Sequence, residues 1–262
     1  MKISRFEAPQ GKEHYGIIDE EKIRVLDGDP FGQIRQTDQF FPLDEIRLLA
    51  PSRPSKIVAV GLNYRDHAEE VGYPIPEEPS IFLKPSTAVV GPEENIVIPS
   101  MSQRVDYEAE LGIIIRHRTR SVAPHQAMDA VLGYTCFNDV TARDLQSMER
   151  PFSRAKGFDT FAPIGPWIVT DLDPSDLTVE CYLNGTRVQH SSTKHLIFGV
   201  DVLISFISHV MTLLPGDVIA TGTPSGIGPM KPGDRVEIVI QDVGRLSNPV
   251  TTQELSCLTA PF

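Results

Sequence analysis

VDYEAELGIII, residues 105–115, decides how this chain is read. Asp106, Glu108 and Glu110 alternate with apolar neighbours, and Leu111 to Ile115 then run almost without a break in apolar character, which predicts a strand over about residues 107–116. Residues i and i+2 of a strand share a side, so Glu108 and Glu110 would present two carboxylates about 6 to 7 Å apart at their backbones. A third acid, Asp139 of YTCFND, ends another apolar strand-like run. Charges placed in half-buried sequence repel one another and resist desolvation unless a partner offsets them. A hard divalent cation is such a partner, although the same alternation also fits the solvated face of an edge strand.

Outward from this stretch the chain is strand-rich. Further strands are expected near 56–60, 80–83, 96–98, 132–137, 164–169, 177–183, 217–221 and 235–241. Helical patterns are fewer, a short one over Ala123 to Val131 and a longer one over about 199–213. In the longer one Val200, Leu203, Ile204, Ile207, Val210, Met211 and Leu214 form a core-facing stripe. Residues 2–26 read as three short strands, and Phe41 to Ser55, with its prolines, reads as a connector. The expected division is a small N-terminal β-rich region with linker, 1–53, and a main domain, 54–262. Many strands without strand–helix alternation favour a β-rich α+β sandwich, barrel or roll over a doubly wound sheet.

Composition narrows the function classes. With 35 Asp and Glu against 24 Lys and Arg the formal net charge is -11, which repels a polyanion, so no nucleic-acid partner is expected. The N-terminus lacks the apolar core of a secretory signal, and no run approaches a membrane span, so the expectation is a soluble, cytoplasmic protein without a membrane partner. Cys136, Cys181 and Cys257 are scattered and odd in number, and read as small core or boundary residues rather than disulfide partners.

Other segments carry chemistry-bearing residues. In GLNYRDHAEE, residues 61–70, His67 and Glu70 are three apart, so one helical turn would stack them and let the carboxylate orient the imidazole. An ordinary salt-bridged surface turn is the competing reading. VGYPIPEEPS follows, with glycine and prolines that suit a loop able to order over a substrate. Lys84 and Lys156 lie at strand or helix ends where a lysine can neutralise an anion. TGTPSGIG, residues 221–228, offers hydroxyls and backbone amides for a carboxylate but lacks the Gly-Lys-Ser/Thr of a phosphate-binding P-loop. Oxygen ligands without histidine or cysteine suit magnesium better than zinc.

Taken together VGLNYRDHAEE, IFLKP, VDYEAELGIII, GYTCFNDVTARDLQ, AKGFDTFAPIGP, LNGTRVQ and LLPGDVIATGTPSGIG, in that order from about Lys56 to Val250, resemble the fumarylacetoacetate hydrolase family and its shorter members. The resemblance implies a mixed β-sandwich roll, usually a homodimer, with the first 50 or so residues as a small N-terminal appendage. It implies Glu108, Glu110 and Asp139 as ligands of Mg2+ or Mn2+, His67 with Glu70 as a catalytic pair on a mobile lid, and Lys156 as the active-site lysine. Thr223, Arg65 and Gln146 are implied as substrate-binding residues.

The expected reaction is metal-dependent cleavage of a carbon–carbon bond in a 2-oxo, 1,3-dicarbonyl acid of the acylpyruvate type, through a metal-bound enolate. The same intermediate serves an isomerase or tautomerase of 2-hydroxydienoic acids and an oxaloacetate decarboxylase. A metal-dependent binding protein without turnover is the non-enzyme alternative.

Overall fold

A computed structural model describes residues 1–148 and 151–252. Twelve strands form one mixed sheet that begins in the N-terminal region and runs through the body of the chain. Lys2–Glu7, Glu13–Asp19 and Lys22–Leu26 are the three strands expected there, joined as an antiparallel meander. A fourth strand, Gln36–Pro42, forms mostly ahead of the segment expected to be a connector, and that segment contributes a single 3-10 turn, Leu43–Glu45, and a short strand, Arg47–Leu49. Lys2–Glu7 also pairs antiparallel with Ala162–Val169, so the N-terminal region continues the main sheet rather than hanging from it. Beyond that strand the order is Val131–Asn138, Ala109–Ile115, Val218–Ala220, Ile57–Gly61 and Ser80–Lys84.

A second sheet of five strands packs on the first. Its order is Thr186–Ser192, Thr178–Leu183, Arg235–Ile240, Gly244–Thr252 and Ile96–Ile98. Leu111, Ile113 and Cys136 of the large sheet meet Val179, Cys181, Ile238 and Leu246 of the small one in the main core, which also takes Val200, Ile204 and Ile207 of the helix Val200–Val210. This is the mixed β-sandwich roll with a small N-terminal β region. Helix Val200–Val210 is shorter than its periodic stripe because the chain is already extended at Met211. Ala123 to Val131 resolves into a four-residue helix, Pro124–Ala127, and a 3-10 turn, Met128–Ala130.

Cys136 and Cys181 are buried and unpaired, in keeping with small core residues, and Cys257 lies outside the described residues. No helix among the described residues is long and apolar enough to cross a membrane.

Candidate metal centre and active site

The expected single strand over 107–116 is two strands. Val105–Tyr107 pairs in a separate three-stranded sheet with Thr141–Ala142 and Gly228–Met230, whereas Ala109–Ile115 belongs to the large sheet. Glu108 is the junction residue between them. Its amide donates to Asn138 Oδ1 at 3.0 Å and its carbonyl accepts from the Asp139 amide at 2.9 Å. That exchange brings Asp139, just past the end of Val131–Asn138, beside the two glutamates. One oxygen each from Glu108, Glu110 and Asp139 lies within 4.8 Å of the others, and all three side chains are buried.

Cations already surround the trio. Lys156 donates to Glu108 Oε2 at 2.9 Å and to Asp139 Oδ2 at 2.5 Å. Lys84 donates to Asp139 Oδ1 and to the Val140 carbonyl, and Arg143 Nη2 donates to Glu108 Oε1. Arg143 also donates from Nε to the fully buried Asp106, whose carboxylate is held from the other side by Arg104. Glu110 has no such ion pair among the described residues; its Oε2 accepts from the Gly222 amide at 2.8 Å.

The pKa directions follow. Burial pushes Glu108 up, but Lys156 and Arg143 outweigh it and hold the carboxyl well below its usual range. Burial, then the charges of Asp139 and Glu108, push Glu110 well above that range. Burial lowers Lys84 in spite of Asp139, whereas for Lys156 the attraction of Asp139 and Glu108 overcomes burial and raises it. A buried carboxylate without a cation of its own, converging with two others on one point, is what a hard divalent ion with oxygen ligands requires. The donor set therefore fits Mg2+ or Mn2+.

His67, Gln146, Lys156 and Thr223 join the three carboxylates in lining one small cavity of about 60 Å3, closed on the apolar side by Phe82 and Phe152. His67 stands on the helix Arg65–Val71, longer than the single turn expected and ended by Gly72 in the left-handed conformation. Its Nδ1 is 2.9 Å from Glu70 Oε2, and the other oxygen of Glu70 accepts from the Gly226 amide at 2.9 Å. Glu70 is thus an exposed brace behind the histidine, not a wall of the cavity. Arg65 is exposed and is not among the lining residues. A larger cavity of about 560 Å3 lies among the N-terminal strands around Arg5, Tyr15 and Arg53, away from this cluster.

Two glycines shape the loop TGTPSGIG. Gly222 (φ +98°) would put a Cβ 2.7 Å from that of Asn63, and Gly226 (φ +94°) would put one 2.4 Å from the Val188 carbonyl. Asn63, whose amide donates to the Thr221 and Phe198 carbonyls, ties this loop to the segment entering the histidine helix.

The chain matches a known family over most of its length. Residues 56–251 fit the profile of the fumarylacetoacetate (FAA) hydrolase C-terminal domain, and residues 1–51 fit that of the Rv2993c-like N-terminal region. The chain belongs to the fumarylacetoacetate hydrolase family. Protein Rv2993c of Mycobacterium tuberculosis is 45% identical over 259 residues, 95% of this chain and 98% of that one. A 5-carboxymethyl-2-hydroxymuconate delta-isomerase from Mycobacterium smegmatis superposes with a TM-score of 0.92 at 43% identity, covering 97% of this chain and all of the other. A maleylpyruvate hydrolase from Sphingobium, solved with manganese(II) and pyruvate, superposes at 0.80 with 31% identity, again over 97% and 100%. Family membership and the carboxylate cluster together support a metal-associated enzyme of the fumarylacetoacetate hydrolase type.

The sequence points to the carboxylates and to Lys84 and Lys156 as cations, but not to the arginine counterions or to the pairing itself. Arg143 stood inside a quoted anchor, two residues beyond Thr141, and Asp106 stood in the same alternation as Glu108 and Glu110. Lys84, whose place at a strand end suits neutralising an anion, is buried and holds Asp139. Gln189, the last residue of LNGTRVQ, lies buried between the Glu110 strand and the Thr223 loop. A polar residue in a strand of otherwise ordinary alternation carries no local signal of such a partner.

Proposed function

We propose that this chain is a divalent-metal-dependent enzyme of enolisable 2-oxo acids that moves a proton between the enol and keto forms of its substrate. The observation that carries this reading is the position of His67, on the wall of the carboxylate cavity with Nδ1 braced by Glu70. A neutral imidazole held through an Nδ1–H leaves Nε2 as the basic nitrogen, free to take a proton from the carbon or oxygen beside the keto group. The likeness to a named isomerase at 43% identity supports proton transfer. Hydrolysis of a carbon–carbon bond, the first expectation from sequence, is the second reading and is supported by the more distant maleylpyruvate hydrolase. In it the same nitrogen activates water instead. Decarboxylation of oxaloacetate draws on the same site residues.

Glu108, Glu110 and Asp139 would hold the cation, which when bound supplies Lewis-acid stabilisation of negative charge on the 2-oxo-acid oxygens. Lys156 has three N–H donors, of which two are committed to Glu108 and Asp139, so the third remains for an oxygen that gains charge during the reaction. Its ammonium, 5.2 Å from the centre of the Phe82 ring, is held in place by carboxylates on one side and an aromatic face on the other. Thr223 and the amides of its loop meet the anionic end of the acid, and Gln146 offers a further polar contact. Phe82 and Phe152 keep water from the apolar side. A cavity of about 60 Å3 is small beside the roughly 300 Å3 of an ordinary small-molecule site, so a substrate enters by displacing the His67 helix and the loop after it.

The test is proton NMR in D2O with Mg2+ or Mn2+ and a panel of 2-oxo acids, oxaloacetate and acylpyruvates among them. Proton transfer exchanges deuterium into the carbon next to the keto group without changing the carbon skeleton, whereas hydrolysis yields two acids. His67→Ala is expected to slow either reaction by about a hundredfold or more while sparing metal binding. No exchange and no cleavage across the panel, or full activity in His67→Ala, refutes the reading.

A further inference from the structure

We propose that Gln189 is a positioning residue that forces the Thr223 hydroxyl to act as a hydrogen-bond donor toward the cavity. The inference rests on the proposed function in one respect, that the cavity receives the anionic end of a 2-oxo acid.

Gln189 is 2% exposed on the strand Thr186–Ser192. Its Oε1 accepts from the Ala109 amide at 3.0 Å, and its Nε2 donates to Thr223 Oγ1 at 3.0 Å and to the Pro224 carbonyl at 2.9 Å. Only one orientation of the amide satisfies these partners. Turned over, its oxygen would face the Pro224 carbonyl and its NH2 would face the Ala109 N–H, pairing acceptor with acceptor and donor with donor.

That orientation decides the state of Thr223. An amide NH2 has no lone pair to offer, so the threonine oxygen accepts from it and the hydroxyl proton has to point elsewhere. Among the described residues Thr223 Oγ1 donates to no protein acceptor, and the side chain, 4% exposed, lines the carboxylate cavity. The free direction is therefore the cavity, where an anionic ligand oxygen accepts the proton. Ala109 lies between Glu108 and Glu110, so the same buried amide also sets the distance between the carboxylate strand and the loop of Thr223. The neighbours of Thr223 face another way: the Ser225 hydroxyl donates to Asp66 at 3.3 Å and the Gly226 amide to Glu70 at 2.9 Å, both on the His67 helix. Thr221, the remaining hydroxyl of the loop, is buried without a partner for its Oγ1 but does not line the cavity, so Thr223 is the loop hydroxyl placed to meet the ligand.

The probe is oxalate, a two-carboxylate mimic of a planar enolised 2-oxo acid, titrated calorimetrically into folded protein saturated with Mg2+, after Mg2+ alone has been titrated. Gln189→Glu keeps an oxygen for the Ala109 amide but offers a second acceptor to Thr223, which turns the hydroxyl proton away from the cavity. Thr223→Val removes that proton. Each is expected to weaken oxalate about tenfold and Mg2+ by no more than about twofold, and the double variant to lose no more than either alone, because both delete the same hydrogen bond. Gln189→Asn, too short to span Ala109 and Thr223, is expected to give the same tenfold loss and serves if Gln189→Glu does not fold. Multiplicative losses in the double variant, or equal losses for oxalate and Mg2+, or wild-type oxalate binding in both Gln189 variants, overturn the inference alone. Wild-type protein that binds Mg2+ but no oxalate overturns it together with the proposed function.

Discussion

Replacing Glu110 by glutamine gives a test in which the sign of the effect reverses with metal. The Glu110 side chain is 1% exposed, is held by the Gly222 amide, and has carboxylate oxygens of Glu108 and Asp139 within 4.8 Å. Two like charges at that distance interact by about 3.5 kcal/mol at an effective dielectric of about 20; with Lys156 offsetting much of it, about 1 to 2 kcal/mol is relieved when the charge is removed. Glutamine keeps the shape and an oxygen for the Gly222 N–H. In EDTA near pH 8, where removing the ionisable group matters most, the variant is therefore expected to melt about 2 to 8 °C above the parent chain.

With Mg2+ the order inverts. A ligand at a hundred times its Kd adds about 2.7 kcal/mol to a chain that binds it only when folded, or about 5 to 11 °C here. The glutamine variant, short of one anionic ligand, gains little. Differential scanning calorimetry of both proteins, with EDTA and with Mg2+, reads all four temperatures. A variant that melts below the parent in EDTA, or that gains as much from Mg2+, refutes the assignment of Glu110 as an uncompensated ligand.

Three further outcomes follow from the same charges. Lys156→Met leaves Glu108 and Asp139 each short of a buried partner and is expected to cost about 3 to 5 kcal/mol in metal-free protein by urea denaturation, with part regained in Mg2+. For pH, Glu108 with its depressed pKa contributes stability that is present above the ordinary carboxylate range and lost as pH falls through its folded value, whereas Glu110 with its raised pKa contributes stability present below that range and lost as pH rises through its folded value. Melting temperature in EDTA is thus expected to fall at both ends, and Mg2+ to remove the alkaline fall alone; an unchanged alkaline limb contradicts this. Gly222→Ala, at φ +98° with a Cβ 2.7 Å from that of Asn63, is expected to cost about 1 to 3 kcal/mol and to weaken Mg2+ by withdrawing the amide from Glu110, as measured by calorimetric titration.

What the sequence made legible is what has a local period. The strands expected in the main domain and the helix Val200–Val210 form within a few residues of their expected places because their apolar faces repeat at two or at three and four, whereas Thr186–Ser192 and Gly244–Thr252 were not expected. The carboxylate trio was legible because acids are out of place in such runs. The break at Glu108 was not, since alternation continues unchanged through Asp106, Glu108 and Glu110 while hydrogen bonding passes from one sheet to another. Gln36–Pro42 and Gly244–Thr252 carry Asp38, Gln39, Ser247, Asn248 and Pro249, which weaken the strand pattern, and they pair because neighbouring edges need partners. Lys84, Arg143 and Gln189 owe their roles to contacts 34 to 80 residues away in sequence, which no window reports.

The change of sheet at Glu108 also explains how one chain can fold before it is loaded. A site whose carboxylates all lacked counterions would make the fold depend on metal, as structural zinc sites do. Here Asp106, Glu108 and Asp139 each have lysine or arginine partners drawn from four different segments, around Lys84, Arg104, Arg143 and Lys156. Those contacts close the sandwich at the point where the large sheet gives way to the three-stranded one. Glu110 alone of the four carries its burial without an ion pair, and its electrostatic cost is a local one, set against a core that extends across both sheets. Metal affinity is therefore concentrated in a residue whose neutralisation the fold tolerates. The architecture is expected to survive chelation while the cavity's affinity for an anion does not.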